Sequence, residues 1–171
     1  MAQNFGIKTI YPYPAMRIEE KIIHTLLEVE DKLQKVKPEW YIIGSSAMIL
    51  SGIKIAETSD IDILTTTQGA DEFQEHMQKY MEINPSTKEN DLFRSNFARF
   101  NLPLMDIEVM GGLQVMKNNI WHDVHINHFH EMHIGNLTVK IPTLEEQKRL
   151  LLLFGRDKDL RRMKLFDERN Q

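Results

Sequence analysis

Two short apolar segments, each joined to residues that carry chemistry, constrain the fold of this chain most strongly. Residues 40–43 form an apolar run typical of a buried strand, and the small-residue turn Gly44-Ser45-Ser46 follows it. Residues 61–64 form a second such run, flanked by Asp60 and containing Asp62. Because successive side chains of a strand point to opposite faces, Asp60 and Asp62 should project from one face about 6.7 Å apart. We therefore predict two strands that present a turn and a pair of acids to one site.

Helical spacing of apolar residues predicts helices before, between and after these strands. The clearest helix covers residues 16–36 and is closed by Pro38. A short helix over 47–52 should begin at an N-cap formed by Ser45 or Ser46 and stop at Gly52. The other predicted helices cover residues 70–81, after a linker at 65–69, and residues from about 143, where Thr143 and Glu146 have capping-box spacing, with a further helical piece after Gly155.

Strand patterns dominate the middle of the chain. Alternating apolar residues predict strands over 93–102, 104–110 and 113–116, with Gly111-Gly112 as a turn or a bulge. Gly135-Asn136 has the form of a two-residue hairpin turn. Helices first, clustered strands next and helices last predict an α/β (α+β) fold, with helices packed on a mixed sheet.

Composition limits the class of protein. A chain of 171 residues fits one domain, and no repeat or linker divides it, so we expect a single domain over 1–171 with C-terminal helices packed on it. Zero cysteines exclude disulfides and thiolate chemistry, and a net charge of −4 argues against a broad nucleic-acid surface. Without a signal-like N-terminus or a membrane-length apolar run, we expect a cytoplasmic protein that does not span a membrane.

The paired acids point to a metal site. Both would be ionised at neutral pH, and two adjacent charges in a cleft need a cation, for which Mg²⁺ is the natural candidate. A third acid is available on a later predicted strand, where Asp106 and Glu108 alternate with apolar residues. Either of these acids can lie on the same face of the sheet as Asp60 and Asp62. Each acid taken alone could equally be a solvated strand residue. The metal site is therefore predicted from the occurrence of all these acids together.

These residues resemble the signature of the nucleotidyltransferase superfamily of the DNA polymerase beta type. Gly44 and Ser45 match its Gly-Ser turn, Asp60 and Asp62 its Asp-x-Asp, and Asp106, in its Met-Asp-Ile context, its third acid, with Glu108 as the alternative. The segment Gly155-Arg-Asp-Lys-Asp-Leu160 looks like a helix of small stand-alone members, including antibiotic-modifying and AbiEii-like toxin types. The resemblance implies that the turn, including Ser46, holds a triphosphate and that the acids bind two Mg²⁺ ions.

The chain departs from the family pattern in its cations. The basic residue that often precedes Asp-x-Asp is missing, and the nearest cation is Lys54. Further along, Arg156 and Lys158 belong to a run of mixed charge. They are either part of a solvated helix face or the cations that reach the triphosphate.

The resemblance implies an Mg²⁺-dependent enzyme that transfers a nucleoside monophosphate from an NTP to an acceptor hydroxyl and releases pyrophosphate. Asp60 and Asp62 would bind metal, and Asp106 or Glu108 would bind metal and assist the acceptor. The acceptor could be a small hydroxyl compound, a tRNA end or a protein. Two alternatives stay open: a non-catalytic member that binds nucleotide or a partner, such as an antitoxin or a second copy, and a hydrolase that uses Asp60 and Asp62 as an acid/base pair.

A histidine-rich segment lies outside this pattern. Residues 122–133 hold five of the seven histidines, but they lack the spacings of strong zinc motifs. We expect ordinary surface or acceptor-pocket histidines.

Overall fold

A mixed sheet covered by helices forms the frame of the protein. The computed structural model describes residues 15–169. The strands are β1 Trp40–Ile43, β2 Asp60–Thr65, β3 Phe93–Phe100, β4 Asp106–Lys117, β5 Ile120–Asp123, β6 Phe129–Ile134 and β7 Leu137–Pro142. The helices are α1 Ile18–Glu28, α2 Glu30–Leu33, α3 Gly44–Leu50, α4 Thr67–His76, α5 Leu144–Phe154 and α6 Asp157–Glu168, with a 3₁₀ turn at Gln78–Tyr80. The predicted α+β class with a mixed sheet is confirmed.

The order of strands in the sheet brings the acid-bearing strands together. The order is β3-β4-β2-β1-β7-β6, and β5 pairs with β4 beyond the end of β2. Strand β2 is antiparallel to β1 but parallel to β4, with Asp60 opposite Asp106 and Asp62 opposite Glu108. Four acids therefore face one side of two adjacent strands, at their N-terminal ends.

The opposite face of the sheet is buried under α1, α2 and α4. Ile61 and Ile63 of β2, together with Ile107 and Val109 of β4, have no exposed surface and pack into the largest core cluster. The predicted helix over 16–36 is interrupted at Val29, whose φ and ψ of −116° and 18° end α1 before α2 begins. This bend lets both helices follow the sheet.

Helix α3 begins two or three residues earlier than predicted. Its N-cap is Ile43, so the prediction that Ser45 or Ser46 caps the helix was wrong. Both serines instead lie in the first turn and are buried. Gly52 does end the helix, because its φ of +84° belongs to the left-handed region, and the Ile53 N–H donates to the Met48 carbonyl at 2.9 Å.

Other boundaries also differ from the prediction. Helix α4 starts at Thr67 rather than Ala70, because Thr66, expected in a linker, accepts a hydrogen bond from the Gly69 N–H at 2.9 Å and caps the helix. Gly111-Gly112 is not a turn between two strands but lies within β4. The pairing with β3 shifts there and Gly112 has a φ of +60°, so the alternative of a bulge was correct.

Two hairpins complete the sheet. The turn predicted at Gly135-Asn136 joins β6 to β7. A second turn, at Asn118-Asn119, joins β4 to β5 and was missed, although asparagine tolerates the left-handed φ values of 52° and 60° found there.

The last two helices occur where the sequence predicts them. The Thr143 hydroxyl accepts a hydrogen bond from the Glu146 N–H, as expected for a capping box. The Glu146 side chain, however, does not return to the cap but accepts from the Asn127 N–H at 2.7 Å and pairs with Arg149. Gly155, with a φ of +65°, separates α5 from α6. None of the helices among residues 15–169 combines the length and the hydrophobicity that a membrane-spanning segment requires.

The assignment of the core predicts which substitutions lower the free energy of unfolding. Phe73 of α4 is fully buried and packs edge-on against Trp40, with ring centroids 5.9 Å apart. Phe73→Ala should lower the free energy of unfolding by about 3–5 kcal/mol because it leaves a cavity. Leu152→Ala is the matched control, since Leu152 is 53% exposed and should change stability by less than about 0.5 kcal/mol. Urea unfolding of the two variants measures both values, and equal losses would contradict the assigned core.

Candidate active site

A large open cavity lies over the acid-bearing face of the sheet. Its volume is about 1630 Å³. Strands β2, β3 and β4 supply its floor, and its sides are lined by residues of α3, α5 and α6, by residues 56–59 and by loop 82–92, which leads into β3. A cavity of this size accommodates a nucleotide together with a second small molecule.

Three carboxylates converge on the floor of the cavity. Asp60, Asp62 and Glu108 each offer a ligand atom, and these atoms all lie within 4.8 Å of one another. The convergence follows from the parallel register, which sets Asp62 beside Glu108 on adjacent strands. The Ser59 hydroxyl also donates to Asp60 Oδ2 at 3.0 Å and fixes that carboxylate. We refer to Asp60, Asp62 and Glu108 as the acid group.

Asp106, the residue matched to the family's third acid, lines the cavity but does not belong to the acid group. It is the first residue of β4 and lies opposite Asp60, at the margin of the site. Glu108 lies opposite Asp62, and its side chain is one methylene longer. Of the two acids that the sequence left open, the structure brings Glu108 to the group.

Asp62 is the most perturbed member of the acid group. Enclosure by protein, together with the nearby charges of Asp60 and Glu108, raises the pKa of its carboxyl to about 8. The positive charges of Arg162 and Lys158 oppose the rise. Enclosure beside two other carboxylates makes the ionised form of Asp62 costly unless a cation is bound nearby.

Gly44 is required by its conformation and by its neighbour. Its φ of +66° lies in the left-handed region, and a Cβ added there would lie 2.7 Å from Asp62 Oδ2. Only glycine therefore lets the turn after β1 approach the acid group so closely. This contact brings the start of α3 and the Asp-x-Asp strand to one point, as the sequence predicts.

Of the other residues expected to hold phosphate, some line the cavity and others do not. Ser45 lines the cavity beside Gly44. Ser46 does not, because its hydroxyl donates to the Asp60 carbonyl at 3.0 Å and holds α3 against β2. Lys54 is exposed and lies outside the cavity lining, so the structure does not bring it to the site.

Helix α6 contributes two positively charged side chains to the cavity lining. Lys158 lines the cavity, and Arg162, one turn further along, lines it as well. Neither forms an ion pair within 4.0 Å among residues 15–169. Arg162 was missed from the sequence, although its spacing of four residues from Lys158 places both on one helix face.

Arg156 lines the cavity but already has partners. Its guanidinium pairs with the buried Asp159 at 2.6 Å and with Glu89 of loop 82–92 at 2.8 Å. These contacts fasten the start of α6 to the loop. The histidines of residues 122–133 do not line the cavity: His128 lies 3.8 Å from Glu146, and His133 contacts Thr138.

The donor set of the acid group fits a hard divalent cation. It contains carboxylate oxygens alone, which Mg²⁺ prefers, and no imidazole that would favour zinc. The raised pKa of Asp62 agrees with this assignment, because a bound cation would offset both the burial and the like charges that cause it.

Comparison with known proteins identifies the fold and the family. The family model for aminoglycoside-2''-adenylyltransferase matches residues 25–164, which include the acid group and most of α6. No curated protein matches the chain significantly. The resemblance to nucleotidyltransferases is therefore confirmed by the family match.

Two solved structures share this fold. A Thermotoga maritima protein, provisionally described as a nucleotidyltransferase, has a TM-score of 0.69 and 21% identity, over 87% of this chain and 94% of its own. The lincosamide antibiotic adenylyltransferase LnuA, in its lincomycin-bound structure, has a TM-score of 0.53 and 14% identity, over 87% of this chain and 96% of its own.

The raised pKa of Asp62 predicts how the stability of the metal-free protein depends on pH. The folded-state pKa of Asp62, about 8, exceeds its ordinary value, so the folded state keeps a proton that the unfolded state has lost. Stability should therefore fall as the pH rises from about 4 towards 8. Asp62→Asn removes this loss and should raise the Tm at pH 8 by at least about 2 °C, and by less at pH 5.

Thermal unfolding in EDTA at the two pH values measures the effect. Asp91→Asn, which replaces an exposed acid outside the cavity lining, is the control. A Tm of Asp62→Asn at or below that of the unsubstituted protein at pH 8 would contradict the raised pKa assigned to Asp62.

Proposed function

Because the chain belongs to the aminoglycoside-2''-adenylyltransferase family, we propose that it transfers AMP from ATP to a hydroxyl group of a small acceptor and releases pyrophosphate. The observation that carries the proposal is the acid group on the floor of the cavity, faced by Lys158 and Arg162. Carboxylates that hold a metal and cations that hold phosphate are the parts that phosphoryl transfer requires.

Asp60, Asp62 and Glu108 would hold Mg²⁺. When bound, the metal neutralises the acid group and stabilises charge on the phosphate oxygens. The donor set supports the identity of the ion, and the resemblance to the DNA polymerase beta type supports a count of two. Asp106, at the margin of the group, is close enough to the cavity to contact the acceptor or its solvent shell.

The triphosphate would lie between the start of α3 and α6. Gly44 and Ser45 present backbone N–H groups without bulky side chains, and Lys158 and Arg162 add positive charge. These two side chains replace the cation that is absent before Asp60. Arg156 holds the loop and α6 in place through Glu89 and Asp159 rather than contacting phosphate.

The transfer forms a bond between the acceptor oxygen and the α-phosphorus and breaks the bond to the β-phosphate, which leaves as pyrophosphate. The proton of the acceptor hydroxyl must be accepted nearby, and Glu108 is the acid best placed for this role, with Asp106 as the alternative. The cavity volume of about 1630 Å³ leaves room for the acceptor beside the nucleotide.

A small molecule is the acceptor that the cavity favours. A tRNA end or a protein side chain would need an extended surface, and the net charge of −4 does not favour a nucleic acid. The family description and the lincomycin-bound relative both name antibiotics as acceptors. An aminoglycoside and a lincosamide are therefore the first compounds to test.

Pyrophosphate release tests the proposal directly. The protein is incubated with ATP, Mg²⁺ and one candidate acceptor at a time, and mass spectrometry of the acceptor checks for an added AMP. Asp62→Asn should lower the rate at least about 100-fold, and the control Asp91→Asn should not change it. An unchanged rate in Asp62→Asn would sink the mechanism, and labelling of tRNA or protein alone would replace the small acceptor.

The role proposed for Lys158 and Arg162 is tested separately, through the KM for ATP. Arg162→Gln and Lys158→Gln should each raise the KM for ATP by roughly 10-fold, because each removes a charged contact with phosphate. Arg161→Gln on the same helix is the matched control, since Arg161 is exposed and does not line the cavity. Steady-state kinetics at saturating acceptor measures KM, and equal values for Arg161→Gln and Arg162→Gln would contradict the assigned phosphate site.

A further inference from the structure

Arg99 of β3 makes the closest polar contacts to the acid group. It lies directly opposite Glu108 in the antiparallel pairing of β3 with β4. Its Nε donates to Glu108 Oε1 at 2.8 Å, and its Nη2 lies 2.7 Å from the same oxygen. The two side chains are 20% and 19% exposed, so water screens this pair less than it screens a surface ion pair.

Both contacts use one oxygen of Glu108. Among the described residues, no hydrogen bond is made to Oε2, which leaves that atom for the acid group. A carboxylate held by one oxygen cannot rotate freely, so the orientation of the other oxygen is set as well. Glu108 is the member of the acid group with the longest side chain, and it has the most rotamer freedom to lose.

The other side of the Arg99 guanidinium is fastened to loop 82–92. Nη1 lies 3.4 Å from Glu82 Oε2, and Nη2 donates to the Ser86 carbonyl at 3.2 Å. The Arg99 carbonyl also accepts a hydrogen bond from the Glu82 N–H at 2.8 Å. Arg99 is therefore held from two directions, and it connects the wall of the cavity to the acid on its floor.

We infer that Arg99 is a positioning residue that fixes Glu108 in the orientation needed to bind metal and to accept the acceptor's proton. This inference rests on the proposed function. The planar guanidinium is required, because a lysine ammonium cannot contact Glu108 through two nitrogens and loop 82–92 through a third. Partners of this kind, which orient a metal ligand, commonly contribute about 10–100-fold to metal affinity or activity.

A double-mutant cycle with Mn²⁺ as the probe separates positioning from charge. Removing Arg99 deletes a positive charge near the metal whether or not Glu108 is present, but it releases the carboxylate only when Glu108 is there. Mn²⁺ affinity is measured by calorimetry, without nucleotide, for the unsubstituted protein, Arg99→Met, Glu108→Gln and the double variant. The ratio by which Arg99→Met lowers Mn²⁺ affinity should be at least about threefold larger in the protein that keeps Glu108 than in the Glu108→Gln background.

A difference of less than threefold between the backgrounds would overturn the inference, because the effect of Arg99 would then be electrostatic or structural alone. Arg94→Met is the matched control on the same strand: Arg94 donates to Gln114 at 2.6 Å and does not contact the acid group. Its Mn²⁺ affinity should change by less than about twofold.

Activity adds a second readout. In the AMP-transfer assay, Arg99→Met should lower kcat by about 10–100-fold and change the KM for ATP by less than about threefold, and Arg99→Lys should recover only part of kcat. A loss confined to KM would contradict positioning of Glu108. If the unsubstituted protein shows no transfer, the proposed function fails, while the Mn²⁺ cycle still tests the link between Arg99 and Glu108.

Discussion

The parallel pairing of β2 with β4 is the constraint on which the site depends. It aligns Asp62 with Glu108 and directs the alternate residues of both strands, such as Ile61 and Ile107, into the core. A slip of one residue would expose those isoleucines and bury the acids, so the core that holds the register also holds the acid group together. The mutual repulsion of the carboxylates opposes this arrangement, and burial of the other sheet face stabilises it.

Positive charges around the cavity serve two purposes. Arg99 and Arg156 are engaged by acids of the protein itself, and both contacts extend to loop 82–92. Lys158 and Arg162 have no such partner among the described residues and face the acid group from α6. This difference separates side chains that shape the cavity from those available to an anionic ligand, a distinction that net charge alone does not make.

Local patterns in the sequence predict the strands and the Asp-x-Asp pair, because alternation sets which side chains share a face. The choice between Asp106 and Glu108 depends on strand register, which no local pattern specifies. Arg99 could not be found for the same reason, since its contact with Glu108 arises from pairing between β3 and β4. Arg162 was detectable from its spacing to Lys158. The roles of these residues, and the single-domain organisation, remain predictions.

The central claim is that Asp60, Asp62 and Glu108 form one metal site at which nucleotide binds. A crystal structure with Mn²⁺ and a non-hydrolysable ATP analogue, with anomalous scattering to locate the metal, tests it most directly. We expect an anomalous peak coordinated by Asp60, Asp62 and Glu108 and by phosphate oxygens, with the triphosphate near Lys158 and Arg162. A peak that lies away from these acids, or one bound by Asp106 in place of Glu108, would contradict it.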